Sequence, residues 1–279
     1  MDFYESSFFQ EPNKCLPTPE QVKALSKDIG TTPQPQPVKF KNSGVFVKFG
    51  PYVTIAEAQC LWMIKKAFSN QIPVPEIFGW RVDEQKNVFL YMELIQGRTL
   101  LESWDTLDKL DKSSLVDQLR QIVQDLRSLE QNPLLDPYIG SISGQRVQDY
   151  VFESFPNAGP FASIKDFNDW FASLPQTQAP NKFEDPYRHL LPDSGTIKFT
   201  HADLHRGNIM VSSSKPVRIL AVVDWGLSGW YPDYWEFCKA CYTSYEGEEW
   251  RQEWINEFLC PSTQAQLAFS EYIMILGAF

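Results

Sequence analysis

The segment His201-Ala202-Asp203-Leu204-His205-Arg206-Gly207-Asn208, followed sixteen residues later by Asp224-Trp225-Gly226, decides how the chain folds around its chemistry. Asp203 and Asn208 stand five positions apart. Asn208 to Val211 and Arg218 to Val223 are short β-prone runs on either side of the turn Ser212 to Pro216, which predicts a hairpin ending at Asp224. Such a hairpin brings Asn208 and Asp224 to neighbouring strand ends, where both side-chain oxygens can reach one hard cation. A lone H-x-D or D-x-G would be noise, whereas the two in order with a hairpin between them form a specific pattern.

Phosphoryl transfer to a hydroxyl needs a carboxylate that orients the acceptor and an amide and a carboxylate that hold magnesium. It also needs a cation on the nucleotide phosphates. The segment supplies the first three in the spacing of the protein-kinase catalytic loop, and the chain upstream supplies a cation. From Gly44 the pattern is strand-like, and Lys48 is the single lysine in Val45-Phe46-Val47-Lys48-Phe49. Ala56 to Ser69 reads as a helix, with Leu61, Ile64, Lys65 and Phe68 at helical spacing ahead of Pro73 and Pro75. Glu57 lies in its first turn.

The rest of the chain is read outward from these motifs. Thr18-Pro19-Glu20-Gln21 predicts a capping box and a short helix ending near Gly30. Three prolines within Thr31 to Val38 predict an extended tether. Val88 to Ile95 is a second apolar strand, and helices dominate after Gly97. Leu115, Leu119, Ile122, Val123, Leu126 and Leu129 trace one face of a helix beginning after Ser113 or Ser114. Residues 132 to 199 read as loops and short helices. Trp235 to Tyr245, Glu248 to Leu259 and Thr263 to Leu276 read as helices. The expectation is an α+β fold of three parts: a leader at 1–37, a small β-rich N-lobe at 38–95, and a larger, mainly helical C-lobe at 96–279.

Composition narrows the function. Over 279 residues, 43% are hydrophobic and 22% charged, as in ordinary globular chains. A formal net charge of −10 argues against a nucleic-acid partner and suits a cationic ligand. The start lacks a basic, apolar signal segment, and no apolar run nears the roughly 20 residues that span a bilayer. A cytoplasmic protein without a membrane partner is therefore expected. Five scattered cysteines, Cys15, Cys60, Cys238, Cys241 and Cys260, make a disulfide framework improbable.

With FTHADLHRGNIMV and VVDWGLSGWYPDYWEF on the page, the chain resembles the aminoglycoside phosphotransferase and choline kinase family, within the protein-kinase-like superfamily and particularly its fungal branch. The resemblance runs from about Gly44 to Tyr245. It implies a two-lobed protein-kinase-like fold and an ATP-dependent kinase that phosphorylates a small-molecule hydroxyl with Mg²⁺. It implies Asp203 as catalytic base, His201 as the residue that buttresses the catalytic loop, and Asn208 and Asp224 as metal ligands. Lys48 then matches the lysine on the nucleotide phosphates and Glu57 its partner. Met92, Glu93 and Leu94 match the hinge that faces adenine, and Glu236 the acidic brace of the loop.

Two departures and several plainer readings stand beside this. No G-x-G-x-x-G precedes Lys48, only Asn42-Ser43-Gly44, which motivates a non-catalytic nucleotide-binding scaffold of the same fold as the alternative. Ala202 stands where the family usually has Gly. Tyr231 to Glu236 follows Asp224 with no long activation segment, which points to a small-molecule rather than a protein acceptor. Lys48 can also be read as an edge-strand lysine, and Glu57 as an acid favoured by the helix dipole. Asp224 can be read as a turn residue. The alternation of His201, Asp203 and His205 would suit a metallohydrolase, with only His189 left as a further histidine. Cys238 and Cys241 read as buried hydrophobes of a helix rather than a metal pair. The run Glu246, Glu248, Glu249, Glu253 and Glu257 reads either as a solvated face or as an attractor for a cationic acceptor.

Overall fold

In the computed structural model, residues 1–26, 34–69, 71–152, 155, 158–178 and 184–277 are described. They form two compact units, Met1–Ser103 with Ile209–Gly226, and Trp104–Asn208 with Leu227–Phe279.

The first unit rests on a four-stranded antiparallel sheet in the order Val38–Phe40, Val45–Gly50, Val88–Glu93, Ile77–Val82. Side chains alternate across a strand, so Val45, Val47 and Phe49 enter one buried cluster with Val38, Phe78, Phe89 and Tyr91, while Lys48 projects from the opposite face. The helix Ile55–Phe68 buries Glu57, Ala58, Cys60, Leu61 and Ile64. The strand Ile77–Val82 is absent from the sequence expectations, because Gly79 and the preceding prolines interrupt its run. Its register indeed shifts between Ile77 and Gly79. The strand expected to reach Ile95 stops at Glu93, and the Leu94 N–H donates to the Gly44 carbonyl at 2.8 Å.

Residues set apart on sequence as a leader pack into this unit. Phe8, Leu16 and Val22 share the sheet's buried cluster, and the Met1 ammonium donates to the Trp80 carbonyl at 2.8 Å. The capping box is present: Thr18 accepts the Gln21 N–H and donates its own N–H to the Gln21 side chain. The helix Pro19–Leu25 ends where Ser26 turns extended. The expected end near Gly30 and the first part of the tether lie outside the described residues. The predicted hairpin exists as Ile209–Val211 and Ile219–Val222, with Ile209 opposite Val222 and Arg98–Thr99 as a third strand. Grouped on sequence with residues 96–279, it clusters with the first unit, where the Val222 N–H donates to the Pro73 carbonyl at 2.9 Å.

The second unit is mainly helical. Its first long helix, Lys109–Arg127, starts earlier than Ser113 because Asp108 caps it, accepting the Asp111 N–H at 2.9 Å. Within 132–199, where loops and short helices are expected, the helix Ile164–Gln178 runs to 15 residues, with Ile164, Phe167, Phe171 and Leu174 buried at helical spacing. Pro175 inside it, and the polar residues around it, mask that period on sequence. These aromatics surround Trp235, which stacks on Tyr231 at 5.6 Å and meets Phe167, Phe171 and Phe269 edge-on. Trp235 opens the helix Trp235–Tyr242, and Phe269 and Tyr272 of Thr263–Leu276 close the same core. A small antiparallel sheet in the order Gly140–Ser141, Gly229–Pro232, Ile197–Thr200 delivers the chain from Thr200 into His201. The segment Glu248 to Leu259 differs from the uniform helix expected there, opening on a π-helical turn, Trp250–Trp254, before Ile255–Phe258.

Candidate active site

In the first unit, Lys48, Glu57 and Asp224 meet. The Lys48 ammonium donates to Glu57 Oε2 at 2.9 Å and to Asp224 Oδ1 at 2.6 Å, the latter across 176 residues of chain. The alternating strand aims Lys48 away from the apolar cluster, and the first turn of Ile55–Phe68 presents Glu57 to it. Burial alone would lower the Lys48 ammonium, but the charges of Glu57 and Asp224 outweigh burial and hold it above its ordinary value. The Glu57 side chain is 3% exposed and the Asp224 side chain 45%. Two carboxylates thus share one ammonium, a formal excess of one negative charge, and burial pushes the Glu57 carboxyl above its ordinary value against the pull of Lys48. Asp224 Oδ2 has no hydrogen-bond partner among the described residues. A hard divalent cation fits that donor set, an oxygen on a carboxylate that is half open and only half neutralised. Asp224 also sits at φ 63°, a left-handed conformation that Asp tolerates better than most residues.

In the second unit, the loop from His201 to Asn208 is held chiefly by neutral donors. The His201 and Ala202 N–H groups donate to the two oxygens of Glu236, at 2.7 and 3.1 Å. The Asp203 N–H donates to His201 Nδ1 at 3.1 Å, so the fully buried His201 ring spends that nitrogen on the loop's own backbone. The Asn208 amide donates to both the carbonyl and Oδ2 of Asp203, at 3.0 and 2.9 Å, leaving its oxygen as the acceptor for a cation. His205 Nε2 stands 3.6 Å from Asp203 Oδ2, too far for a hydrogen bond. Burial would raise the Asp203 carboxyl, but His205, His201 and Lys239 hold it below the ordinary value. Its side chain is 16% exposed, an ionised carboxylate with a small window to solvent. Burial pushes Glu236 the other way, up to about 7.

The remaining sequence candidates find varied places. Met92 lies within the strand Val88–Glu93, and the N–H groups of Glu93 and Leu94 are committed to the Glu76 and Gly44 carbonyls. A metal set from His201, Asp203 and His205 is not formed: His201 Nδ1 and His205 Nδ1 accept backbone N–H groups. Among the described residues, no group of three His, Cys, Asp or Glu is arranged around a common point. Cys238 and Cys241 are free and buried, and burial pushes the Cys241 thiol up to about 11. The acidic run is largely engaged internally, Glu248 with Arg206, Glu249 with Lys112 and Glu257 with Arg120.

Two features of the second unit escaped the sequence reading. Lys239 and Asp149 form an ion pair at 2.8 Å with both side chains wholly buried, and Trp235 Nε1 donates to the same carboxylate. A lysine in WEFCKACY, where Glu236 is the one other charged residue, was the signal. The other feature is the contact of Arg206, inside the catalytic loop, with Glu248. Among the described residues, no helix is long and apolar enough to cross a membrane.

No curated protein matches the chain. Two of the solved structures it resembles are thermostable mutants of aminoglycoside phosphotransferase APH(4)-Ia, each in ternary complex with AMP-PNP and hygromycin B. The first gives a TM-score of 0.51 at 15% identity and the second 0.50 at 14%, each covering 84% of this chain and 76% of the other. A third is aminoglycoside phosphotransferase APH(3'')-Id from Streptomyces rimosus, with a TM-score of 0.49 at 16% identity over 86% of this chain and 92% of that one. At such identities the likeness to the first two shows the fold, a small antiparallel-sheet lobe with a larger helical one. A family model described as "Phosphotransferase enzyme family" matches residues 56–269, which span both the helix bearing Glu57 and the segment His201 to Asp224, and the chain belongs to that family.

Proposed function

We propose that the chain transfers the γ-phosphoryl group of ATP to a hydroxyl of a small molecule. The observation that carries this reading is the Lys48–Glu57–Asp224 cluster, in which a strand lysine meets a carboxylate nine residues on and a second one 176 residues on. A lysine placed only to guard a strand edge would not have two carboxylates waiting for it.

Asp203 accepts the hydrogen bond of the acceptor hydroxyl and turns its oxygen towards the γ-phosphorus. As the new O–P bond forms and the bond to the β–γ bridging oxygen breaks, the hydroxyl proton leaves through Asp203 and ADP keeps the bridging oxygen. A carboxylate held below its ordinary pKa is a weak base, so its contribution is mainly orientation. Lys48 neutralises phosphate charge. Asn208 and Asp224, which flank the hairpin strands Ile209–Val211 and Ile219–Val222 in the sequence, are the proposed holders of Mg²⁺. When bound, the ion would supply positive charge that offsets the negative charge of phosphoryl transfer. His201 and Glu236 keep the loop in shape without reacting.

A second reading is supported by the turn Lys41 to Gly44. Only four residues join Val38–Phe40 to Val45–Gly50, where a longer glycine loop would cover the phosphates. On that reading the chain binds nucleotide without turning it over. A thermal-shift titration with Mg²⁺ and ATP, followed by an ATP-consumption screen over amino alcohols, sugars and aminoglycosides, separates the two. Stabilisation with acceptor-dependent ATP loss supports the kinase, whereas stabilisation without consumption supports the scaffold.

A further inference from the structure

The loop from His201 to Asn208 is anchored at its start by Glu236, and its far end carries a charged side chain that the proposed chemistry does not use. Arg206 opens the 3-10 turn Arg206–Asn208, so it is fixed to the same turn as the metal-ligand candidate. Its guanidinium donates to Glu248 Oε2 at 2.6 Å and is only 12% exposed. It lies 5.6 Å from the ring centre of Trp104 and 6.0 Å from that of Trp250, and the two indoles meet edge to face at 5.0 Å.

Trp250 opens the π-helical turn Trp250–Trp254, and its indole N–H is buried with no hydrogen-bond partner among the described residues. The contact of Arg206 with the ring faces of Trp250 and Trp104 is a separate attraction between cation and ring, one that leaves the indole N–H as it is. Glu249, next along the chain, holds the other side of the same aromatic pair. It accepts from Trp104 Nε1 at 3.3 Å, from Trp254 Nε1 at 3.0 Å and from Lys112 at 2.7 Å. Glu248 and Glu249 are thus anchors, and neither is free for an acceptor.

We propose that Arg206 is a positioning residue of the phosphoryl-transfer site, in which its pairing with Glu248 between Trp104 and Trp250 fixes the turn that presents Asn208 and, through the Asn208 amide, Asp203. The relevance to transfer rests on the function proposed above. The planar, permanently charged guanidinium can pair with a carboxylate at its edge and meet indole rings at its face, which an ammonium cannot do together.

The test compares the wild-type chain with Arg206→Met, Arg206→Lys, Glu248→Gln and Lys112→Met. Backbone hydrogen exchange is followed over residues 201–209, and the Kd for Mg·AMP-PNP and the kcat of ATP consumption are measured. Exchange in the loop is expected to quicken about 10-fold in Arg206→Met and Glu248→Gln while Trp235–Tyr242 keeps its protection. The kcat should fall about 10- to 100-fold, with KM for ATP changed far less. Arg206→Lys should recover part of each loss. Lys112→Met, which breaks a neighbouring pair at the same tryptophan without touching the loop, should lower Tm but leave loop exchange and kcat within about 2-fold of wild type. Unchanged loop exchange in Arg206→Met, or faster exchange with kcat intact, overturns the proposal. A wild-type chain that binds no Mg·AMP-PNP overturns the phosphotransfer reading instead, and loop exchange in Arg206→Met then decides by itself whether the brace orders the loop.

Discussion

Two carboxylates of the candidate site, Asp224 in the first unit and Asp203 in the second, are handled in opposite ways. Asp224 is almost half open and is matched by a formal charge, the Lys48 ammonium at 2.6 Å. Asp203 is mostly buried and takes its hydrogen bond from a neutral amide, with His205 standing off at 3.6 Å and the start of its loop tied to Glu236 through backbone N–H groups. Charge pairing fixes electrostatic balance and leaves room for another ion to compete, whereas a net of neutral hydrogen bonds fixes direction. The first arrangement suits holding phosphate and metal charge, and the second suits aiming one oxygen at a hydroxyl.

That contrast can be broken by substitution, and the largest effect is expected at the aiming residue. Asp203→Asn should lower kcat by about 10²- to 10⁴-fold, measured as acceptor-dependent ATP consumption. Lys48→Met comes next, since it leaves Glu57 and Asp224 facing each other without a cation. Removing one partner from a largely buried charge cluster should destabilise the chain by about 3 kcal/mol in a urea titration, and added Mg²⁺ should recover part of that by binding the two carboxylates. A loss below about 0.5 kcal/mol would mean that Lys48 behaves as a surface pair.

A pH series sharpens the contrast further. Glu236 has a folded-state pKa raised to about 7 from 4.5. The stability tied to its protonated form is therefore fully present below pH 4.5 and lost as pH rises through 7. Wild type should lose stability relative to Glu236→Gln across that window. Asp203, held low, shifts the other way: its contribution is present above the ordinary carboxyl range and lost only in stronger acid. The smallest effect is expected at Ala202, whose φ of 65° is left-handed and unfavourable for any residue with a Cβ. Ala202→Gly should raise stability by about 0.5–1 kcal/mol, read from the shift in urea midpoint.

Much of this was legible in the sequence because it is local. The strand around Lys48, read from its β-branched and aromatic residues, and the hairpin around the turn Ser212 to Pro216 both appear as read. The Ala202 substitution was visible too, but its weight comes from a backbone angle that no composition reveals. What stayed hidden depends on distant packing. Pro175 conceals the helix Ile164–Gln178, which forms because Phe167 and Phe171 bury against Trp235. Glu248 and Glu249 look like members of a solvated run until Arg206 and Lys112 arrive from elsewhere in the chain. Lys239 looks like the polar face of a short helix until Asp149 meets it.

The division between a charge-holding carboxylate and an aiming one is tested most directly by calorimetric titration of Mg·AMP-PNP into Asp224→Asn and Asp203→Asn beside the wild-type chain. The expected result is a Kd raised about 10-fold or more in Asp224→Asn and left within about 2-fold of wild type in Asp203→Asn. Equal Kd values in the two variants, or a larger loss in Asp203→Asn, would contradict it.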